Sequence, residues 1–284
     1  MKCVILPLFY DYYYYDMSKP SITLIKLGGA IITDKEKPMT LRPEVLSRLV
    51  KEVAQARIAN PDDLLIVGHG AGSFAHYPAT QYKTIEGFIN KESVFGMAKV
   101  QDVAAQLNRI VVGQFLAVET PAVSVAPSSS ILASNHQAKT FCGEICEEYL
   151  NKKLLPVTYG DVLVDEVKGC TVWSTEEVLS FLAQHLVKRG WQIKQIIHVT
   201  EVEGFYDTKH SVVSHISSQI WPDLQHALTA TKGFDVTGGM GLKIEESLKL
   251  AQLGIQSRII SGLVPDRLYK ALTNEEILGT VIYD

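Results

Sequence analysis

Short apolar runs alternate along the chain with segments whose apolar residues recur every three to four positions. The apolar runs predict strands at 22–27, 64–67, 121–125, 154–158, 162–165, 171–173 and 193–199. The helical spacing predicts helices at 43–58, around 100–115, at 176–188 and around 244–251. Because strands and helices alternate, we expect an α/β protein, a three-layer αβα sandwich around a mainly parallel central sheet. Ligands of such sheets bind beyond the carboxyl ends of the strands.

Composition excludes several classes of function. The 284 residues include 31 acidic and 27 basic side chains, and the formal net charge of -4 argues against a broad surface for nucleic acid. No run approaches the roughly 20 apolar residues that span a bilayer, so we expect no membrane partner. Four cysteines without a C-x-x-C pair are typical of free thiols in a reducing cytoplasm. The function must therefore reside in local sites.

The chain is long enough for two fused lobes behind an extension. Residues 1–20 combine a short apolar run with four consecutive tyrosines, whereas a signal peptide would end in small residues. We interpret 1–20 as an N-terminal extension outside the fold. A soft boundary near residue 170 predicts an N-terminal lobe, 21–170, and a C-terminal lobe, 171–284.

The clearest chemical signal is His69-Gly-Ala-Gly-Ser-Phe-Ala-His76, directly after the predicted strand 64–67. A strand that breaks into glycines and resumes as a helix leaves backbone N–H groups pointing one way, which suits a phosphate. His76 can donate a hydrogen bond to an anion, whereas we interpret His69 as a structural loop histidine. Ser73 stands where G-x-G-x-x-G requires its third glycine, so a dinucleotide site is a weak alternative.

Two further segments have the same character. Lys26-Leu-Gly-Gly-Ala-Ile-Ile-Thr-Asp-Lys35 places two glycines and a second lysine after the first strand, which suits a phosphate chain. In Asp235-Val-Thr-Gly-Gly-Met-Gly-Leu-Lys243, Thr237 can cap a helix and so place the glycines and Lys243 at its positive N-terminus. Either segment alone could be an ordinary turn with a solvated lysine. Three such loops in one chain favour phosphoryl chemistry, although the P-loop and the kinase H-R-D signatures are absent.

In sequence order, these three segments and two others match the pattern of a known family. The others are Pro121-Ala-Val-Ser-Val with Pro127-Ser-Ser, and Pro156-Val-Thr-Tyr-Gly-Asp161. The set, from about Ile22 to Tyr283, resembles the amino acid kinase superfamily and, within it, the isopentenyl phosphate kinase family, which shares the histidine of G-S-F-x-H. The resemblance implies that ATP and Mg²⁺ bind in the C-terminal lobe and isopentenyl phosphate in the N-terminal lobe. It also implies isopentenyl diphosphate as the product and a homodimer as the assembly.

Carried over residue by residue, the resemblance implies roles for individual side chains. The expected ATP contacts are Lys26, Gly28, Gly29, Gly72, Thr200, Tyr206, Gly239 and Lys243. The expected acceptor contacts are Ala71, His76, Gly160 and Asp161. Lys35 would stabilise the transition state, and catalysis would be shared by Lys35, His76, Lys26 and Lys243. No metal ligand is assigned.

The sequence departs from the family pattern at several positions. Ala30 follows Gly-Gly where the family has serine. The other departures are Ala71 and Ala75 for glycines, Ser174-Thr-Glu-Glu177 for Ser-Gly-Asp-Asp, and Glu201 and Glu203 for aspartates. Ala30 lacks the hydroxyl of that serine, whereas Ala71 and Ala75 each add a methyl group that could tighten the site.

Because of these departures, two alternative functions stay open. One is a kinase of another small phosphate or phosphonate, similar to fosfomycin kinases, and the other is a catalytically impaired nucleotide-binding regulatory protein. Several apolar residues after the glycine loop favour an isoprenoid tail over a polar phosphonate, although such residues are more often part of a core. They are Tyr82, Ile85, Phe88, Ile89 and Phe95.

Overall fold

The computed structural model describes residues 20–230 and 239–284. Its strands are β1 Ser21–Leu27, β2 Leu64–His69, β3 Ala122–Ser124, β4 Ile131–Ser134, β5 Gln137–Phe141, β6 Leu155–Tyr159, β7 Asp161–Asp165, β8 Gly169–Trp173, β9 Gln192–Thr200, β10 His215–Ile216, β11 Gln256–Ser261 and β12 Thr280–Ile282. Its helices are α1 Gly29–Ile32, α2 Pro43–Ala59, α3 Gly72–Gln81, α4 Ser93–Ala117, α5 Pro127–Ser130, α6 Glu144–Asn151, α7 Thr175–Lys188, α8 Trp221–Leu224, α9 His226–Ala230, α10 Gly239–Ala251 and α11 Arg267–Leu272. The N-terminal extension up to residue 19 and the segment from Thr231 to Gly238, with its expected cap Thr237, lie outside the described residues.

Eight strands form the main sheet, in the order β10-β12-β11-β9-β1-β2-β6-β3. Every neighbouring pair in it is parallel except β11 and β12, which are antiparallel. Helices connect the parallel strands because a chain that re-enters a sheet in the same direction needs a crossover. The predicted mainly parallel sheet is confirmed.

Helices cover both faces of the main sheet. On one face, Ile25 and Leu27 of β1 pack into a core with residues of α2 and α4. On the other face, Ile22 and Leu24 pack into a core with residues of α6 and α7. Successive strand residues point to opposite faces, so both cores are filled from one strand. The predicted three-layer αβα sandwich is confirmed.

A smaller sheet of four strands, in the order β5-β4-β7-β8, flanks the main one. Its antiparallel pair β7 and β8 contains the predicted strands 162–165 and 171–173. The strands β4 and β5 are not predicted from sequence: β4 has only four residues, and β5 is short, polar and largely exposed. Residue 170 lies within β8 of the smaller sheet, and the next strand of the main sheet, β9, begins only at Gln192. The division into two lobes stays a prediction. Within the described ranges, no helix is both long and apolar enough to cross a membrane.

Glycines close the carboxyl edge of the main sheet. The N–H of Gly28 donates to Val199 O at 2.9 Å, and the N–H of Gly70 donates to Leu27 O at 2.9 Å. Gly160 donates in the same way to His69 O at 3.2 Å. Each turn thus binds a carbonyl at the end of the neighbouring strand, so the loops of adjacent strands lie close together.

The two loops that follow β1 and β2 touch backbone to backbone. A Cβ atom at Gly29 would lie 2.5 Å from Gly72 N. Gly72 has a φ of +49°, and a Cβ atom there would meet the Thr33 hydroxyl and lie 2.7 Å from Gly29 O. Only glycine satisfies both the left-handed conformation and the close approach.

We expect Gly72→Ala to separate these loops, lowering the free energy of unfolding by about 2 kcal/mol or more through strain and overpacking and abolishing activity. Urea unfolding and a kinase assay measure both effects. Gly113→Ala is the matched control: Gly113 lies within α4 with nothing within 4 Å of its Cβ position. It should stabilise the protein by about 0.5–1 kcal/mol. A Gly72→Ala variant as stable and active as the wild type would contradict the argument.

Candidate active site

Two lysines and one glutamate form a buried ionic cluster at the carboxyl edge of the sheet. Lys26 Nζ lies 2.7 Å from Glu176 Oε1, and Lys243 Nζ lies 3.1 Å from the same oxygen. The side chains of all three are 9% exposed or less. Charged groups are almost never this deeply buried unless they are paired. The structure thus brings together Lys26 and Lys243, which are 217 positions apart in the chain by their numbering.

Each member of the cluster comes from a different element. Lys26 lies near the end of β1. It is on the same face of the strand as Ile22 and Leu24, which is the face covered by α7. Glu176 lies in the first turn of α7, and Lys243 lies in the second turn of α10. The helix N-termini therefore point toward the strand end, and their partial positive charges add to those of the lysines.

The glutamate of the cluster is ionised. Burial alone would raise the pKa of the Glu176 carboxyl, but the ammonium groups of Lys26 and Lys243 hold that pKa well below its usual range. The carboxylate therefore pairs with both lysines. Two ammonium groups held at the end of a strand favour an anion that can reach them.

The first turn of α7 is fixed from several sides. Ser174 and Glu177 form a complete capping box, with Glu177 Oε2 accepting from Ser174 N at 2.7 Å. Thr175 Oγ1 donates to His69 O at 2.8 Å, and Glu177 Oε1 lies 2.9 Å from His136 Nε2. The segment 174–177, which departs from the family pattern, therefore works as a rigid helix start that presents Glu176 to the lysines. The role of Glu176 is not predicted from sequence, although Ser174 and Glu177 show the S-x-x-E pattern of a capping box.

Backbone donors from the two glycine loops converge beside this cluster. The Thr33 hydroxyl donates to Gly29 O at 2.7 Å and accepts from Ser73 N at 3.0 Å, which fastens one loop to the other. Within the described part of the chain, the N–H groups of Gly29, Ala30 and Gly72 have no hydrogen-bond acceptor. Such unpaired amides at helix starts are suitable phosphate donors.

Two of the expected glycine contacts have a different character. The N–H groups of Gly28 and Gly160 already donate to the carbonyls of neighbouring strands. These glycines therefore shape the loops by close approach, and they bring no free N–H to a ligand.

His69 has the structural role predicted for it. Its side chain is fully buried, with Nδ1 3.2 Å from Gly70 O and Nε2 3.2 Å from Asn108 Nδ2. Because the amide of Asn108 donates to Nε2, the proton lies on Nδ1. Burial lowers the pKa of His69 to about 4, so the ring is neutral at pH 7. Its Nδ1 supports the glycine loop by donating to Gly70 O.

His76 and Lys35 lie at the surface and do not touch the buried cluster. His76 is exposed on α3, and Lys35 is exposed in the turn after α1. Ser73 connects the two segments: its carbonyl accepts from Met39 N at 3.2 Å and its hydroxyl accepts from Thr40 N at 3.3 Å. The turn that carries Lys35 is therefore fastened to the helix that carries His76.

The two alanines of the glycine loop, Ala71 and Ala75, have different surroundings. Ala71 has an ordinary φ of -76°, so its methyl group causes no backbone strain. Ala75 is buried and packs in the apolar core under α3. The added methyl of Ala75 thus contributes to the core, and its effect on the site stays a prediction.

Asp161 is buried and supports a neighbouring loop. Its Oδ2 accepts from Ser128 N at 3.0 Å, which caps the short helix α5, and its Oδ1 accepts from Val162 N at 2.9 Å. Burial raises the pKa of Asp161, and the hydrogen bonds from Ser128 and Val162 oppose that shift. All the contacts of this carboxylate in the described chain serve the loop, so its expected contact with an acceptor stays a prediction.

The loop after β9 is held by arginines. Glu201 Oε1 accepts from Arg42 Nη1 at 2.7 Å, and Glu203 pairs with Arg267. The Thr200 hydroxyl donates within the turn to Val202 O at 2.9 Å. This turn lies at the same sheet edge as Gly28, since Gly28 N bonds to Val199 O.

Two other expected nucleotide contacts lie on nearby segments. Gly239 begins α10 and its carbonyl accepts from Lys243 Nζ at 2.8 Å. Tyr206 is half-buried, in a bridge with Val212.

The apolar residues after the glycine loop form no part of the core. Ile85 is 79% exposed, and Phe88, Ile89 and Phe95 are also exposed. Tyr82 is half-buried with its ring centroid 6.0 Å from that of Phe95. Because these residues lie on the surface between α3 and α4, the more ordinary interpretation as core residues is wrong.

Comparison with known proteins defines the class to which this fold and site belong. The family model described as the amino acid kinase family matches residues 21–261. The chain therefore belongs to the amino acid kinase family, and the resemblance found in the motifs is confirmed.

Within that family, the chain is similar over its length to isopentenyl phosphate kinases. It is 34% identical to the isopentenyl phosphate kinase of Methanothermobacter thermautotrophicus, covering 91% of this chain and 98% of that protein. It is 30% identical to that of Methanocaldococcus jannaschii, covering 92% and 98%. A crystal structure of an isopentenyl phosphate kinase matches with a TM-score of 0.77 at 30% identity, covering 92% of this chain and 99% of that one.

Removing the carboxylate of Glu176 should destabilise the fold. In Glu176→Gln two buried ammonium groups lose their counterion, and breaking a buried pair costs about 3–5 kcal/mol of unfolding free energy. Urea unfolding at pH 7 measures the loss. Glu246→Gln is the control, because Glu246 pairs with Lys249, whose side chain is 64% exposed. Such a pair contributes about 1 kcal/mol at most, so equal losses in the two variants would refute a special role for Glu176.

Proposed function

We infer that this protein transfers the γ-phosphoryl group of ATP to isopentenyl phosphate and so forms isopentenyl diphosphate. The observation that carries the inference is the buried Lys26–Glu176–Lys243 cluster beside the two joined glycine loops. Similarity to isopentenyl phosphate kinases over more than nine-tenths of the chain supports the choice of reaction.

The donor half of the mechanism follows from charge. Lys26 and Lys243 present two ammonium groups to the ATP phosphates, and Glu176 keeps them in place. The free N–H groups of Gly29, Ala30 and Gly72 add hydrogen bonds that need no reorganisation during the reaction. These donors relieve the repulsion between the transferred phosphoryl group and the diphosphate of the leaving ADP.

The acceptor half needs no general base. A phosphate monoester has a second pKa near 6, so at pH 7 it is already largely a dianion and can attack directly. What it needs is charge relief and alignment with the donor. His76 and Lys35, carried on segments that Ser73 joins, are the proposed donors to the acceptor phosphate. The exposed apolar residues after the loop are the proposed contacts of the isoprenoid tail.

The described chain supplies no ready-made metal cage. Among residues 20–230 and 239–284, no group of three or more His, Cys, Asp or Glu side chains gathers to hold an ion. We propose that Mg²⁺ enters with ATP, held by the phosphates and water, as this ion commonly does. The homodimer, which rests on the resemblance, and the cytoplasmic location, which rests on the free cysteines, are likewise proposals.

One assay separates this function from its alternatives. ATP consumption is measured with isopentenyl phosphate, dimethylallyl phosphate and fosfomycin as acceptors. We expect isopentenyl phosphate to give the highest kcat/KM and a diphosphate product. Turnover of fosfomycin alone would favour the phosphonate kinase, and ATP binding without turnover of any acceptor would favour the regulatory protein.

Substitution of His76 tests the acceptor site. Removing one hydrogen-bond donor to the reacting anion should cost roughly 10²–10³ in rate, so we expect His76→Ala to lower kcat or raise KM for isopentenyl phosphate while KM for ATP changes little. Gln81→Ala, at an exposed position on the same helix, is the control and should behave as wild type. Unchanged kcat and acceptor KM in His76→Ala would remove His76 from the site.

A further inference from the structure

A buried amide side chain lies under the glycine loop, and the proposed mechanism gives it no role. Asn108 is 1% exposed, and the buried residues around it on α4 are apolar. Its Nδ2 lies 3.2 Å from His69 Nε2 and 3.3 Å from Val157 O, and its Oδ1 accepts from the Ser124 hydroxyl at 2.5 Å. Burying an amide costs free energy unless its groups are paired, and here both ends of the amide are.

Two backbone carbonyls fix the direction of these hydrogen bonds. Val157 O can only accept, so the group of Asn108 that faces it is the NH₂. The second hydrogen of that NH₂ points to His69 Nε2, so the ring carries its own hydrogen on Nδ1. Gly70 O, 3.2 Å from Nδ1, can also only accept. The bonds therefore run one way, from the Ser124 hydroxyl through the amide and the ring to Gly70 O, and we call the side chains of Ser124, Asn108 and His69 the Asn108 relay.

The Asn108 relay ends on the peptide that joins Gly70 to Ala71. In a trans peptide the C=O and the N–H point in opposite directions, and the peptides of the described chain are trans. Because Gly70 O is bonded to a fully buried ring, the N–H of Ala71 points away from the core. No residue of the described chain accepts from that N–H. It lies directly before Gly72, where α3 begins, so the partial positive charge of a helix start adds to it.

We propose that Asn108 is a positioning residue for the acceptor phosphate. Through His69 it holds Gly70 O against the core, and so keeps the N–H of Ala71 directed at the phosphate that receives the phosphoryl group. A donor held in this way needs no reorganisation when charge develops on the anion. The proposal rests on the proposed function, because that function makes the glycine loop the site of the acceptor phosphate.

The test replaces Asn108 by leucine, which has a similar volume but cannot donate. The ring is then no longer held, and the peptide between Gly70 and Ala71 can rotate. We expect Asn108→Leu to lower kcat/KM for isopentenyl phosphate about tenfold. The Kd for ATP, measured by isothermal titration, should stay within about threefold, because the lysines proposed to bind ATP lie on β1 and α10. Ser124→Ala keeps the amide and removes only its first donor, so it should lower kcat/KM by about threefold.

A control on the same helix distinguishes positioning from general packing. Val112 lies one turn after Asn108 on the same face of α4 and is buried in the apolar core. Val112→Ala should lower the urea midpoint but leave kcat/KM within about twofold. If Asn108→Leu has the kcat/KM of wild type, if it loses as much affinity for ATP as activity toward the acceptor, or if Val112→Ala loses as much activity, the proposal is overturned.

Nitrogen NMR of the His69 ring gives a readout that does not depend on activity. The ¹⁵N chemical shifts distinguish a ring with its hydrogen on Nδ1 from one with its hydrogen on Nε2. The wild-type protein should show the hydrogen on Nδ1, and a hydrogen on Nε2 would overturn the proposal. If Asn108→Leu does not fold, Ser124→Ala takes its place: unchanged kcat/KM would then count against the relay, and a loss of about threefold would support it.

A separate probe keeps this proposal distinct from the proposed function. If the wild-type protein binds ATP but does not phosphorylate isopentenyl phosphate, the proposed function fails. Inorganic phosphate then replaces the acceptor in an NMR titration of the Ala71 N–H. The wild-type signal should shift as phosphate is added, and Asn108→Leu should weaken the Kd for phosphate at that signal about tenfold. A wild-type signal that does not shift, or equal Kd values in the two proteins, would overturn the role of Asn108.

Discussion

The structure depends on the burial of one carboxylate between two ammonium groups. Glu176 pairs with both Lys26 and Lys243 at this depth, and the two lysines keep its carboxyl ionised. The lysines and the glutamate each need the other charge nearby, so the end of β1, the start of α7 and the start of α10 must meet at one point. A single oxygen, Glu176 Oε1, therefore fixes where the first strand of the sheet meets the two helices that cover it.

The remainder of the edge is organised to support this arrangement. The glycine turns bond to the last carbonyls of neighbouring strands, and Thr33 fastens the loops after β1 and β2 to each other. The capping box brings α7 to the same edge, with Thr175 bonded to His69 O. These hydrogen bonds of ordinary strength thus hold the charged side chains at a buried position that their charge alone would disfavour.

Most of the fold and about half of the site followed from sequence patterns. Periodicity predicted the strands and helices of the main sheet, because each buries a regular face. The lysines and glycines were visible because phosphate binding needs those residue types next to strand ends. Glu176 could not be chosen over Glu177 from sequence, since two adjacent acids in a helix start differ only in the direction each one points. The role of Thr33 was also hidden, because its partner Ser73 is distant in the chain. The strand β5 escaped detection because an exposed, polar edge strand has little hydrophobic alternation, and its partner β4 has only four residues.

The pairing of β1 with β9 has a mechanical consequence. These strands join the part of the sheet built before residue 174 to the part built after it, and they pair over seven successive positions with one irregularity. A seam of this length resists bending, so the two parts of the sheet cannot open and close around a ligand as separate bodies. Motion that admits substrate must arise in the segments that project beyond the strand ends, while amide protons along the seam exchange with solvent only when the whole domain unfolds.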